Sequence, residues 1–405
     1  MEYTRREFLT MVSAATALAG AVGVTGNAVA MEGDDPLGVR ADFPAAREGV
    51  YLNSPYMAPS PIQVVEAGKK FLDAKARNPI RLGDMLNETE AVRRKFARMV
   101  GAAETEIGIL TSTSEGENIV INSLDLKAGD NLVTDDLHYV SSYVLYNHLR
   151  ETRGVDIRIV ASEGGTAPAD RFADKVDRRT RLVSVAWVSH QNGYRHDLSA
   201  LADLAHAHDA FLYADAIQGI GMLAMDVKKT AVDFFTTGTY KWLLSGYGVA
   251  PFFVPEPMID RLRVDRHGWR QVSRTISGHE FELHKGIRKF EYATPAFVEI
   301  YQLSAALDYI EKVGVDRIES YTVALAHRLH KGLTDLGFKV WTPMGNGSAI
   351  VAFEHGRMYE GVKKALDTAG VQVSFREENK QIRVGPALFN NAADVDQFLG
   401  VMASV

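Results

Sequence analysis

Phe211-Leu212-Tyr213-Ala214-Asp215-Ala216-Ile217-Gln218 is the stretch that decides how this chain folds. Four apolar residues run without interruption into a carboxylate, and a short turn follows. A continuous apolar run of this length is what a strand covered on both faces looks like. Its acid stands at the C-terminal end, where open α/β sheets bind their ligands.

Similar runs flank it on both sides, at 107–110, 132–133, 157–160, 182–188 and 234–235. Helical patterns at 114–124, 140–152 and 198–208 separate several of them, which predicts parallel strands joined by helical crossovers. A further run at 252–254 follows a short Gly-rich connection and is expected to pair antiparallel. Near residue 297 the pattern changes. A long helical stretch, 296–336, leads to runs at 339–341, 349–353 and 381–384, with helices near 358–369 and 393–402. Fewer strands with helices between them predict a smaller α+β domain.

Chemistry collects at the strand ends. The first run is followed by Thr111-Ser112-Thr113-Ser114-Glu115-Gly116, which opens a helix. Hydroxyls and free N–H groups at a helix N-terminus suit a phosphate. Later runs are followed by His138 and Tyr139, then by Ser189, His190, Gln191 and Asn192, then by Asp215 and Gln218. The 234–235 run is followed by Thr237, Gly238, Thr239, Tyr240 and Lys241. Taken singly, these residues read as helix caps, core aromatics and solvated charges. Together they place a phosphate cradle, an aromatic, a carboxylate and a lysine around one line of strand ends. A lysine buried there is costly unless its charge is neutralised.

These segments resemble the class V aminotransferase family of fold-type I pyridoxal-phosphate (PLP) enzymes, a group that includes cysteine desulfurases and isopenicillin-N-epimerase-like proteins. The resemblance runs from about Tyr51 to the end. Tyr51-Leu52-Asn53-Ser54-Pro55 is similar to the family's opening, Thr113-Ser114-Glu115-Gly116-Glu117-Asn118 to its T-T-E-G-I-N phosphate loop, and Asp215-Ala216-Ile217-Gln218 to D-x-x-Q. Thr239-Tyr240-Lys241-Trp242 is similar to the Schiff-base turn, and Phe290-Glu291-Tyr292-Ala293-Thr294-Pro295 to F-E-x-G-T-P. Arg383 falls where the family's carboxylate-binding arginine lies.

The resemblance implies a large domain over 51–300 with a mainly parallel seven-stranded sheet, and a small α+β domain over 301–405. Residues 31–50 would pack on the small domain. It implies PLP as cofactor, an amino acid or related amine as substrate, and aminotransferase or lyase-type chemistry, with epimerisation, decarboxylation or oxidative tailoring of an exported metabolite as the alternative. Lys241 would carry the cofactor and move protons, and Asp215 would keep the pyridine nitrogen protonated. Gln218 and His190 would bond the ring hydroxyl, and Tyr139 would stack on the ring. Thr113, Ser114, Tyr240 and Thr239 would hold the phosphate. Thr294 would reach the neighbouring subunit's phosphate, which implies a homodimer with shared sites. Arg383 would clamp a substrate carboxylate beside Asn53.

Composition sets limits. A net charge of −6 gives no reason to expect nucleic acid as a partner. The chain has no cysteine, which excludes disulfides and thiolate metal sites and predicts that it is not a cysteine-persulfide desulfurase. No metal site is expected, because His206 and His208 lie two apart on a helix and do not face one point. Gly219-Ile220-Gly221-Met222-Leu223-Ala224 fits a dinucleotide fingerprint formally, but Asp215 to Gln218 separate it from the strand.

Thr4-Arg5-Arg6-Glu7-Phe8-Leu9, then a charge-free stretch ending in Ala28-Val29-Ala30, reads as a twin-arginine signal over 1–30. It predicts use of the twin-arginine export machinery and a periplasmic or extracellular location.

Overall fold

The computed structural model describes residues 35–405. The expected signal segment, residues 1–30, lies outside them. The apolar runs form seven strands: β1 (Ile107–Leu110), β2 (Asn131–Asp135), β3 (Asp156–Val160), β4 (Thr180–Ala186), β5 (Phe211–Asp215), β6 (Phe234–Thr236) and β7 (Ala250–Phe253). Their order across the sheet is β1-β7-β6-β5-β4-β2-β3. Neighbours pair parallel except β7, which runs antiparallel between β1 and β6. The sequence-based expectation of a mainly parallel seven-stranded sheet holds.

β5 shows why the strands read as continuous apolar runs. Leu212 and Ala214 face one core and Tyr213 the other, and all three are fully buried. Each large apolar side chain removed from water in this way contributes about 1.5–3 kcal/mol. Helices α1 (Ile62–Arg77) and α2 (Leu82–Val100) precede the sheet. α3 (Thr113–Ser123), α4 (Val140–Arg153) and α5 (Leu198–His206) belong to its crossovers. Gly219 to Ala224 do not open a helix. They form tight turns, with Gly219 so close to the Trp187 ring that a Cβ would lie 2.2 Å from it.

The predicted helical stretch at 296–336 is two helices, α6 (Phe297–Val313) and α7 (Val315–Asp335). Gly314 breaks them with φ 91°, a conformation that side-chain-bearing residues avoid. α6 packs against α1 and α2.

A second sheet contains β10 (Lys339–Val340), β11 (Val351–Glu354), β12 (Ser374–Arg376) and β13 (Gln381–Val384), in the antiparallel order β10-β11-β13-β12. The intervening β8 (Val272–Ser277) and β9 (Glu280–Leu283) form an exposed hairpin. Phe353, Ile382 and Val384 cover one face of the second sheet, against α7 and the last helix. The first described residues are stitched to this region. Val50–Tyr51 pairs parallel with Val371–Gln372, and Arg40 pairs with Asp394 at 2.7 Å. Among the described residues, no helix is long and apolar enough to cross a membrane.

Candidate active site

The C-terminal ends of the parallel strands surround one pocket. Thr113, Glu117, Tyr139, His190, Asp215 and Lys241 are among the side chains lining it. Asp215 ends β5, level with Ala186 on β4 and Thr236 on β6. Its Oδ1 accepts from the backbone N–H of Ile217 at 3.0 Å. Burial pushes its carboxyl up to about 6, and the Lys241 charge works against that rise.

Lys241 sits in the turn after β6, almost wholly buried. Leu244 closes this turn, donating from N to the Lys241 carbonyl at 2.9 Å with φ 60°. A leucine holds such a conformation only where packing over-determines it, and Leu244 is fully buried. Burial pulls the Lys241 ammonium down to about 7, helped by Arg383 and Arg376 and opposed by Asp215. Its Nζ makes no hydrogen bond among the described residues and lies 5.8 Å from the Tyr240 ring centre.

At the other end of the pocket α3 begins. Ser112 is its N-cap, accepting from the Glu115 N–H at 3.2 Å. The Thr113 hydroxyl is buried without a partner among the described residues. Glu115 braces this loop by accepting from Thr111 N at 2.8 Å and Thr111 Oγ1 at 2.6 Å. A buried hydroxyl beside free helix N–H groups fits a phosphate, because each would otherwise stay unsatisfied.

His190 lines the side wall, with its ring edge-on to Tyr139 at 5.0 Å. Burial, then Arg376 and Arg383, push its imidazole well below the usual range, so the ring is neutral. Its Nδ1 has no partner among the described residues. Arg383 is buried behind it and donates from Nη1 to the His190 carbonyl at 2.6 Å, while its Nε stays unpartnered. Burial first, then Arg376, lower its guanidinium to about 9.

Other expected residues are already engaged. Gln218 lines the pocket, but its amide donates to the Pro55 carbonyl at 2.8 Å and accepts from Trp242 Nε1 at 2.9 Å. Thr239 is fully buried behind the turn, with its hydroxyl directed at the Gly246 and Val249 carbonyls. Asn53 forms a bridge with Gly385 and accepts from Ser374. Ser114 and Tyr240 line the pocket as expected. Thr294 lies on a neighbouring cleft that shares Thr111 with the first, and accepts from Trp269 Nε1 at 2.9 Å. Glu291 holds that loop down: it pairs with Arg93 at 2.7 Å and Arg270 at 2.9 Å, and accepts from Ile109 N at 3.0 Å.

Two features escaped the sequence reading. Glu117 lines the pocket and is buried, accepting from Ser142 at 2.8 Å and Tyr146 at 2.5 Å. Burial pushes its carboxyl up to about 7. It occupies the apolar position of the T-E-G-I-N pattern, so the mismatch itself was the signal. Arg376 adds a second guanidinium charge near Lys241 and His190. Nothing in its local sequence distinguished it from a solvated loop arginine.

A carboxylate at the end of β5, a lysine in the next turn and an unsatisfied helix N-terminus form the donor set that PLP requires. The class-V aminotransferase profile matches residues 50–398. The chain belongs to the class-V aminotransferase family, and its cofactor is PLP. A probable cysteine desulfurase of Methanothermobacter thermautotrophicus is 30% identical over 83% of this chain and 86% of its own length. An uncharacterized aminotransferase of Bacillus subtilis is 25% identical over 89% and 96%. The solved structure of an apo cysteine desulfurase from Thermococcus onnurineus NA1 superposes with TM-score 0.81 at 26% identity, covering 91% of this chain and 97% of that one.

These likenesses overturn one expectation. The absence of cysteine predicted that the chain is not a cysteine-persulfide desulfurase, yet relatives named cysteine desulfurases match most of its length. The absence of a thiol bears on where sulfur would go, not on whether a sulfur amino acid is bound.

Proposed function

We propose that this chain acts on a free α-amino acid through PLP held at Lys241. The observation that carries the reading is that Asp215 and Lys241 are both buried in one pocket whose far end is the free N-terminus of α3. PLP supplies an electron sink for carbanion chemistry at the substrate Cα. Asp215 keeps the pyridine nitrogen protonated, since an adjacent carboxylate favours the cation. Thr113, Ser114 and the first N–H groups of α3 hold the phosphate. Tyr139 and His190 wall the ring. Arg383 offers Nε and its remaining amino group to the α-carboxylate. Lys241, its ammonium pulled down to about 7 by burial, takes the proton from Cα in its neutral form.

The reading includes a homodimer in which exposed Thr294 serves the partner's phosphate, and export through the Arg5-Arg6 signal. The relatives' names make cysteine one of the amino acids to assay. Reduction of the PLP-loaded protein with borohydride should leave the cofactor on the peptide containing Lys241. Label on any other lysine, or a yellow Lys241→Ala protein, overturns the assignment. A panel of amino acids, each followed by the cofactor spectrum and product mass, identifies the substrate and the reaction.

A further inference from the structure

Two arginines, Arg376 and Arg383, stand on one face of the second sheet, and the proposed function uses only Arg383. In the antiparallel pair β12–β13, Ser374 lies opposite Arg383 and Arg376 opposite Gln381. Side chains alternate along a strand, so Ser374, Arg376, Gln381 and Arg383 share one face. Phe375 and Ile382 take the other face, where Ile382 is fully buried against Phe353 and Val384. The arginine face is therefore the one turned away from the small core. Arg383 on that face touches the His190 carbonyl at the pocket wall.

Arg376 is the diagonal neighbour of Arg383, and such positions lie about 7–8 Å apart. It is half-buried, and its guanidinium has no hydrogen bond or ion pair with any described residue. Its charge nevertheless reaches the site. After burial, Arg376 is the next cause that lowers both His190 and Arg383, and it also lowers Lys241. Two guanidinium charges thus bear on a pocket whose deprotonated acid, Asp215, is committed to the pyridine nitrogen. Adjoining like charges with little solvent cost free energy unless anions offset them. The cofactor phosphate is taken at the opposite end by α3, and a substrate α-carboxylate satisfies Arg383. Arg376 remains over.

We propose that Arg376 binds a second anionic group, so that the substrate is an amino acid with an acidic side chain. This rests on the amino-acid reading above. The diagonal spacing lets the two guanidinium forks grip separate groups rather than crowd one carboxylate.

The test uses the full PLP-loaded chain, titrated with aspartate, glutamate, asparagine and glutamine while the visible cofactor spectrum is followed. The acids should bind more tightly than their amides. Arg376→Gln should lower that acid-over-amide preference by roughly 10- to 100-fold, the worth of hydrogen bonds to a charged group, and Arg376→Lys should recover part of it. Arg383→Gln should weaken acids and amides together. PLP content confirms that each variant is folded. Equal weakening of both classes by Arg376→Gln, or no weakening, overturns the proposal. A response to neutral amino acids such as cysteine without preference for acids overturns it too and leaves the amino-acid reading standing. No response to any amino acid overturns both.

Discussion

Arg383 donates from Nη1 to the main-chain carbonyl of His190 at 2.6 Å, although the two residues are 193 positions apart. That bond holds the second sheet against the loop that follows β4. It uses one donor of the guanidinium and leaves Nε free. Arg383→Ala should therefore weaken amino acids by roughly 100-fold, the worth of about 3 kcal/mol for a charged, two-pronged hydrogen bond. PLP content should be unchanged, because the cofactor's own contacts lie on the other sheet. Equilibrium titration of the cofactor spectrum measures both. Loss of PLP along with substrate binding would make Arg383 a structural residue.

Lys241 gives the site a pH dependence. Burial lowers its ammonium from 10.5 to about 7, and only the neutral amine attacks an aldehyde. Mixing the cofactor-free protein with PLP should show a rate that rises with pH through about 7. At one unit below that value about a tenth of the amine is neutral, and at one unit above about nine-tenths. The slope should thus approach tenfold per unit on the acid side. Stopped-flow absorbance measures it. A rate flat from pH 6 to pH 8 would mean that Lys241 is not the attacking group.

How much of this was readable in the sequence depends on whether the signal was local. The strands around Asp215 announced themselves because burial on both faces demands unbroken apolar runs. Lys241 and Thr113 were legible because each follows such a run directly. Gly314 was missed as a helix break, since a lone glycine inside a helical pattern also occurs without one. Thr239 and Gln218 were expected to be free for the cofactor, but nothing local shows that Gly246, Val249, Pro55 and Trp242 return to occupy them. Arg376 was invisible for the same reason: only its register against β13 puts it on the same face as Arg383.

Gly116 sets how closely α3 approaches the sheet. A Cβ at that position would lie 2.0 Å from Thr236 Oγ1 on β6. Gly116→Ala must push the helix N-terminus outward, at a cost of about 1–3 kcal/mol for overpacking. The phosphate cradle moves with it, so PLP affinity should fall along with the melting temperature. Adding Thr236→Ala removes the clashing hydroxyl and should restore part of both. A melting temperature that falls while PLP affinity stays constant would separate the helix from the phosphate site.

Glu117 makes the stability of the fold depend on pH. Burial raises its carboxyl from 4.5 to about 7, and the nearby Asp215 charge adds in the same direction. The hydrogen bonds from Tyr146 and Ser142 oppose the rise without cancelling it. The folded protein therefore keeps this proton at a pH where the unfolded chain has lost it. Unfolding releases a proton across that window, so stability falls as pH rises. The favourable contribution is complete below about 4.5 and is lost as pH passes through about 7. Its ceiling is about 3 kcal/mol. Glu117→Gln keeps the shape and one acceptor oxygen but cannot ionise. In the cofactor-free protein the variant should gain stability over the parent as pH increases, with the smallest advantage at pH 5 and the largest at pH 8. Thermal melts at the two pH values measure the gap. If the gap is the same at both, Glu117 is ionised throughout, and the buried acid beside Asp215 holds no proton at neutral pH.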